Sequence, residues 1–181
     1  MDIKKFLELC HGNWFSQRTN YHLNSEKTDN SKADITIELL SGADSRVVKL
    51  CQDYQINPEL SLGAIAQTWD NAPDWGKPKQ KGSSLVVIIP NNDYDQEGKI
   101  LQTIYQAPPT CNTGRYILGE DQALTLIIET KNFLVEERIW FASDNLRLRT
   151  IVTKDIQGKM QTTFYSEIRK APPRKQAEES N

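Results

Sequence analysis

The chain has 181 residues, a length that fits one domain, and its 22 Lys+Arg against 24 Asp+Glu leave a net charge of −2. That balance argues against a nucleic-acid partner, which needs a basic excess to displace counterions. Mean hydropathy is −0.60, and the longest apolar run, residues 85–90, is far short of the roughly 20 residues of a spanning helix, so no membrane partner is expected. The opening residues, MDIKKFLELCHGNW, carry no apolar signal core. Cys10, Cys51 and Cys111 are odd in number and widely spaced, and read as free thiols in a reducing compartment.

Asp2 can cap a short helix over residues 2–10, where Ile3, Phe6, Leu7 and Cys10 recur at helical spacing, and Gly12 ends it. Beyond that the pattern turns to strands, predicted over 14–23, 33–40, 62–70, 84–90, 99–106, 113–118, 123–130, 133–142, 146–154 and 162–170. They are rich in Val, Ile, Thr and aromatics, with turn residues such as Asn91-Asn92, Pro108-Pro109 and Gln157-Gly158 between them. One more short helix is expected over 44–54, where Val47, Val48, Leu50 and Cys51 gather on one side. Residues 1–170 then make a single domain, and the polar 171–181, with Pro172-Pro173, a disordered tail. About ten successive strands joined by short links favour a mainly β architecture, an antiparallel up-and-down barrel with room for one ligand.

The usual catalytic constellations are missing. His11 and His22 cannot make a zinc site, and there is no nucleophile elbow, Walker loop or dinucleotide fingerprint. The informative feature is charge inside strands that otherwise read as core. In 135–141, Glu137 shares a parity with Val135, Ile139 and Phe141; in 146–150, Arg147 and Arg149 alternate with leucines; in the first strand, Arg18 shares a parity with Trp14, Ser16 and His22. Arg147 and Arg149 either line a solvated sheet face or point into a cavity with Glu137 opposite. Inward, such groups are costly unless they pair or bind something charged. Trp69 and Trp75 flank a Pro-containing loop, where indoles would stack on a flat conjugated ligand, and Asp70 and Asp74 could accept from ring N–H groups.

The Gly12-Asn13-Trp14 start is of the kind carried by lipocalin and fatty-acid-binding barrels. Taken together, Gly12 to Thr19, Asp34 to Glu38, Trp69-Asp70 with Asp74-Trp75-Gly76, Glu137 to Phe141 and Asn145 to Thr150 resemble the S/U-type phycobiliprotein bilin lyases. The resemblance runs from the first helix to about Arg169. It implies a calycin/lipocalin-like barrel and places Arg147 and Arg149 in the cavity. It further implies a lyase that takes a phycocyanobilin-type bilin as substrate, with no permanently bound cofactor. The acceptor would be a cysteine of a phycobiliprotein subunit of phycocyanin or allophycocyanin type. Arg18, Trp75, Glu137, Arg147 and Arg149 match positions the family associates with bilin handling. From side-chain chemistry, Glu137 is the expected catalytic group, the three arginines the expected propionate holders, and Trp75 with Trp69 the expected cover. Replacing Arg147 and Arg149 together by alanine is expected to weaken bilin binding in a barrel that stays folded. The compartment implied is a cyanobacterial cytoplasm rather than a plastid stroma, a homodimer is compatible with the resemblance, and the alternative function is a non-enzymatic carrier of a bilin or fatty acid.

Overall fold

Alternating inward and outward side chains build a closed antiparallel barrel in the computed structural model, which describes residues 1–91, 94–105 and 109–171. Ten strands are present among the described residues: β1 (Gly12–His22), β2 (Lys27–Leu40), β3 (Gly63–Asp70), β4 (Lys81–Asn91), β5 (Tyr94–Tyr105), β6 (Thr110–Leu118), β7 (Leu124–Glu129), β8 (Phe133–Ser143), β9 (Leu146–Asp155) and β10 (Met160–Arg169). Each pairs with the next, and β10 closes on β1, so the sheet has no free edge. The expected strands are all there, several of them longer than their hydropathy suggests. β2 begins at Lys27 because the polar residues Lys27 to Lys32 complete the backbone ladder with β1, a pairing that leaves no apolar signature. The expected turns at Asn92 and Pro108, the strand end at Gln106 and the tail 172–181 lie outside the described residues.

Two helices cover different parts of the barrel. In α1 (Ile3–Cys10), the Asp2 carboxylate accepts from the Lys5 N–H at 2.8 Å. The helix buries Ile3, Phe6, Leu7 and Cys10 against Trp14 and closes one end. The Trp14 indole donates to the Cys10 carbonyl at 2.9 Å, and Phe6 meets Phe141 edge-on with centroids 5.3 Å apart. Arg169 locks this plug. Its guanidinium donates to the carbonyls of Leu9 (2.7 Å), His11 (2.6 Å) and Asp144 (3.1 Å), and lies 4.2 Å over the Trp14 ring. Gly12 turns the chain beneath it with φ +124°, and a Cβ there would sit 2.9 Å from an Arg169 nitrogen. Arg169→Ala is therefore expected to cost about 2–3 kcal/mol, given about 1.5–3 kcal/mol for one charged hydrogen bond and incomplete additivity. Chemical denaturation checks this, and an unchanged stability would show that α1 seats without the clamp.

The second helix, α2 (Ser45–Asp53), packs Val47, Leu50 and Cys51 on the outside of the barrel, against Ala64, Leu85, Val87, Ile89 and Leu101. That explains the unbroken apolar run in β4. Val86 and Ile88 face the lumen while Leu85, Val87 and Ile89 face α2, so both sides of the strand carry apolar residues. Among the described residues no helix is long and apolar enough to cross a membrane.

Candidate functional site

α1 fills one end, so the lumen opens at the other, where the β1–β2 and β3–β4 links lie. It encloses about 550 Å³, within the roughly 300–1,000 Å³ range of small-molecule clefts. Its two walls differ chemically. Ile35, Ile37, Ile65, Val86 and Ile88 make an apolar wall, while Arg18, Glu137, Arg147, Arg149 and Tyr165 make a charged one.

Strand register builds the charged wall as a ladder. Ser16 of β1 lies opposite Glu167 of β10, which lies opposite Arg147 of β9; one step toward the mouth come Arg18, Tyr165 and Arg149. Glu167 is 0% exposed. It takes Arg147 Nε at 2.6 Å and Arg149 Nη2 at 3.2 Å, with the Ser16 hydroxyl donating at 3.3 Å. Arg149 also donates to Glu137 at 2.9 Å and stacks 3.9 Å over the Tyr165 ring. Two carboxylates and two guanidiniums thus cancel within one connected network.

Burial alone would raise the Glu167 carboxyl, but the charges of Arg149 and Arg147 and the hydrogen bonds from Arg147 and Ser16 outweigh it and hold it low. For Arg149 the attraction of Glu167 and Glu137 overcomes desolvation and drives its pKa upward. Burial pushes the Cys10 thiol up, and keeps it protonated on the cavity floor.

The residues singled out in the sequence meet this geometry unequally. Glu137, Arg149, Arg147, Arg18 and Trp69 all line the lumen. Arg147 contributes little surface to it, with a side chain only 3% exposed beneath Glu167 and 5.0 Å from the Trp14 ring. Arg18 sits nearer the mouth, 3.5 Å from Asp29, which also takes the Asn20 amide at 3.1 Å. Trp75 stands apart. It is 90% exposed at the tip of the β3–β4 loop and does not touch the lumen in this geometry. The loop is held down by other groups: Asp74 accepts from the Lys32 N–H at 3.2 Å, and Lys77 donates to the Asn30 carbonyl. Asp70, considered for ring N–H groups, instead pairs outside with Lys81 at 2.8 Å.

Sequence reasoning missed Glu167. The structure also changes the expectation for Arg147→Ala with Arg149→Ala: removing both would leave Glu167 buried without a counterion, so loss of folding would accompany any loss of binding. No group of three or more His, Cys, Asp or Glu among the described residues could hold a metal ion.

Comparison with known proteins agrees with this architecture. Residues 2–170 match the family model described as CpeS-like protein. A chromophore lyase CpcS/CpeS of Thermosynechococcus vestitus is 42% identical over 169 residues, 93% of each chain. The phycocyanobilin lyase subunit CpcS of a Picosynechococcus is 32% identical over 170 residues, 93% of this chain and 86% of that one. The S-type phycobiliprotein lyase CPES of Guillardia theta superposes with a TM-score of 0.80 at 27% identity, covering 95% of this chain and 94% of that one. With matched residues spanning the whole barrel from α1 to β10, the chain belongs to the CpeS-like family.

Proposed function

We propose that this protein is a phycobiliprotein lyase. It binds an open-chain tetrapyrrole of the phycocyanobilin type and joins it by a thioether bond to a cysteine of a phycocyanin- or allophycocyanin-type subunit. The observation that carries this reading is the two-walled lumen: an apolar wall for the tetrapyrrole body faces an ordered ladder of Glu137, Arg149, Glu167 and Arg147. The family membership sets the reaction class.

The acceptor sulfur bonds to the ethylidene carbon of the bilin A-ring, and the thiol proton passes to the tetrapyrrole, so nothing is oxidised or reduced. No nucleophile of this chain is needed, in keeping with Cys51 packed under α2 outside the lumen and Cys10 held protonated. What the chain supplies is alignment of the reacting groups and control of bilin protonation. Glu137 fits the second task. One oxygen is held by Arg149, and the other makes no hydrogen bond among the described residues, leaving it to address pyrrole nitrogens. Arg18, near the mouth and paired among the described residues with Asp29 alone at 3.5 Å, is the arginine best placed for a propionate. Arg147 acts through Glu167, and Arg149 through both carboxylates. Trp69 offers an indole face to the tetrapyrrole, and Trp75 reaches it only if the β3–β4 loop tip moves.

A cyanobacterial cytoplasm suits this chemistry. The functional test is an absorbance titration with phycocyanobilin followed by addition of an apo-phycobiliprotein subunit. A saturable spectral shift and a zinc-fluorescent covalent adduct on the subunit are expected. Uptake without transfer would mean a carrier, and no uptake would refute both readings.

A further inference from the structure

Gly82 lies in β4 with Trp69 of β3 directly across from it. A glycine inside a strand weakens it, so its presence asks for a cause. The backbone does not supply one. Gly82 is not among the glycines with positive φ, which are Gly12, Gly63, Gly76 and Gly158. The neighbour does: a Cβ on Gly82 would fall 2.1 Å from Cζ2, 2.4 Å from Cε2 and 2.8 Å from Nε1 of the Trp69 indole. The ring therefore lies over the bare glycine backbone and occupies the space of the missing side chain. It is a lumen-lining ring.

We infer that Gly82 is a specificity-determining residue that sets the width of the lumen by letting the Trp69 indole lie against the wall. In this position the ring lies against the wall and lines the lumen. Any larger residue at position 82 must push a rigid nine-atom ring system off the wall, and the lumen that the ring already lines is the volume it would enter. The space lost is the space a broad, four-ring ligand needs, whereas a narrow ligand would be spared. Positions 82 and 69 are thus coupled: the side chain at 82 matters only while the indole is present. The inference rests on the reading that the lumen takes a bilin.

A double-mutant cycle tests it, with phycocyanobilin affinity by absorbance titration and the thermal midpoint measured on Gly82→Ala, Gly82→Val, Trp69→Ala and Trp69→Ala/Gly82→Val. Gly82→Val should weaken binding by about tenfold or more and Gly82→Ala by less, while the double variant should match Trp69→Ala within about threefold. If Gly82→Val alone fails to fold, a double variant that folds and binds like Trp69→Ala still demonstrates the coupling. Wild-type affinity in Gly82→Val, or equal losses from Gly82→Val with and without the indole, would overturn the inference while leaving the bilin reading intact. Failure of the wild-type chain to take up bilin at all would overturn that reading and the inference with it.

Discussion

Glu167→Ala will lower folding stability by about 3–5 kcal/mol, the usual cost of breaking a fully buried ion pair from one side. Among the described residues, the change strips Arg147 of its only ion-pair partner and leaves Arg149 with Glu137 alone. For a domain of this size the loss corresponds to about 6–20 °C in thermal midpoint. Glu167→Gln keeps the shape and should cost less, and it also reveals the pH dependence. The wild-type carboxyl is held below the ordinary glutamate value of 4.5. Its contribution is therefore complete above that value and is lost as pH falls through the lower, folded-state value. The stability difference between wild type and Glu167→Gln should be constant from pH 6 to 7 and shrink on acidification. A difference that grew toward low pH would mean that Glu167 is protonated in the folded barrel.

Glu137→Gln should separate binding from chemistry. Positive charge on the tetrapyrrole grows as the ethylidene carbon becomes electrophilic, so a carboxylate beside the nitrogens matters more in the transition state than in the ground state. The variant should still take up bilin, with its spectrum shifted toward the unprotonated form. Single-turnover transfer should fall by about 10²–10⁴, the range of general acid–base contributions. The competing role is purely structural, since Glu137 and Arg149 form an ion pair at 2.9 Å. That role predicts a lower thermal midpoint and a weaker bilin affinity together, with an unchanged transfer rate from the complex that remains. Arg149 keeps Glu167 in this variant, so the stability loss should be well below that of Glu167→Ala.

The barrel was legible because its strands alternate and its links are short, and both helices were legible from apolar spacing. The charged ladder was only half legible. Glu137, Arg147 and Arg149 show because apolar neighbours fix their parity. Glu167 stays hidden because the apolar Phe164 and Ile168 of β10 lie on its outer face, while Thr163, Tyr165 and Glu167 point in. Only the register with β9, which sets Glu167 beside Arg147, reveals its partners. Two tryptophans close in sequence suggested a paired cover, but Trp69 belongs to a strand and faces the lumen, whereas Trp75 belongs to a loop tip. The arginines looked free for propionates because a sequence does not show which carboxylates already hold them.

Delivery of lumen-bound bilin to an acceptor cysteine is what the proposed function requires. Its most direct measurement is a single turnover: the preformed complex with phycocyanobilin is mixed with an apo-phycobiliprotein subunit, and the covalent adduct is followed by mass and zinc fluorescence. One adduct at one cysteine is expected, formed faster than from free bilin at the same concentration and slowed by Glu137→Gln. An adduct that forms no faster from the complex than from free bilin, or a complex that retains its bilin in the presence of acceptor, would contradict it.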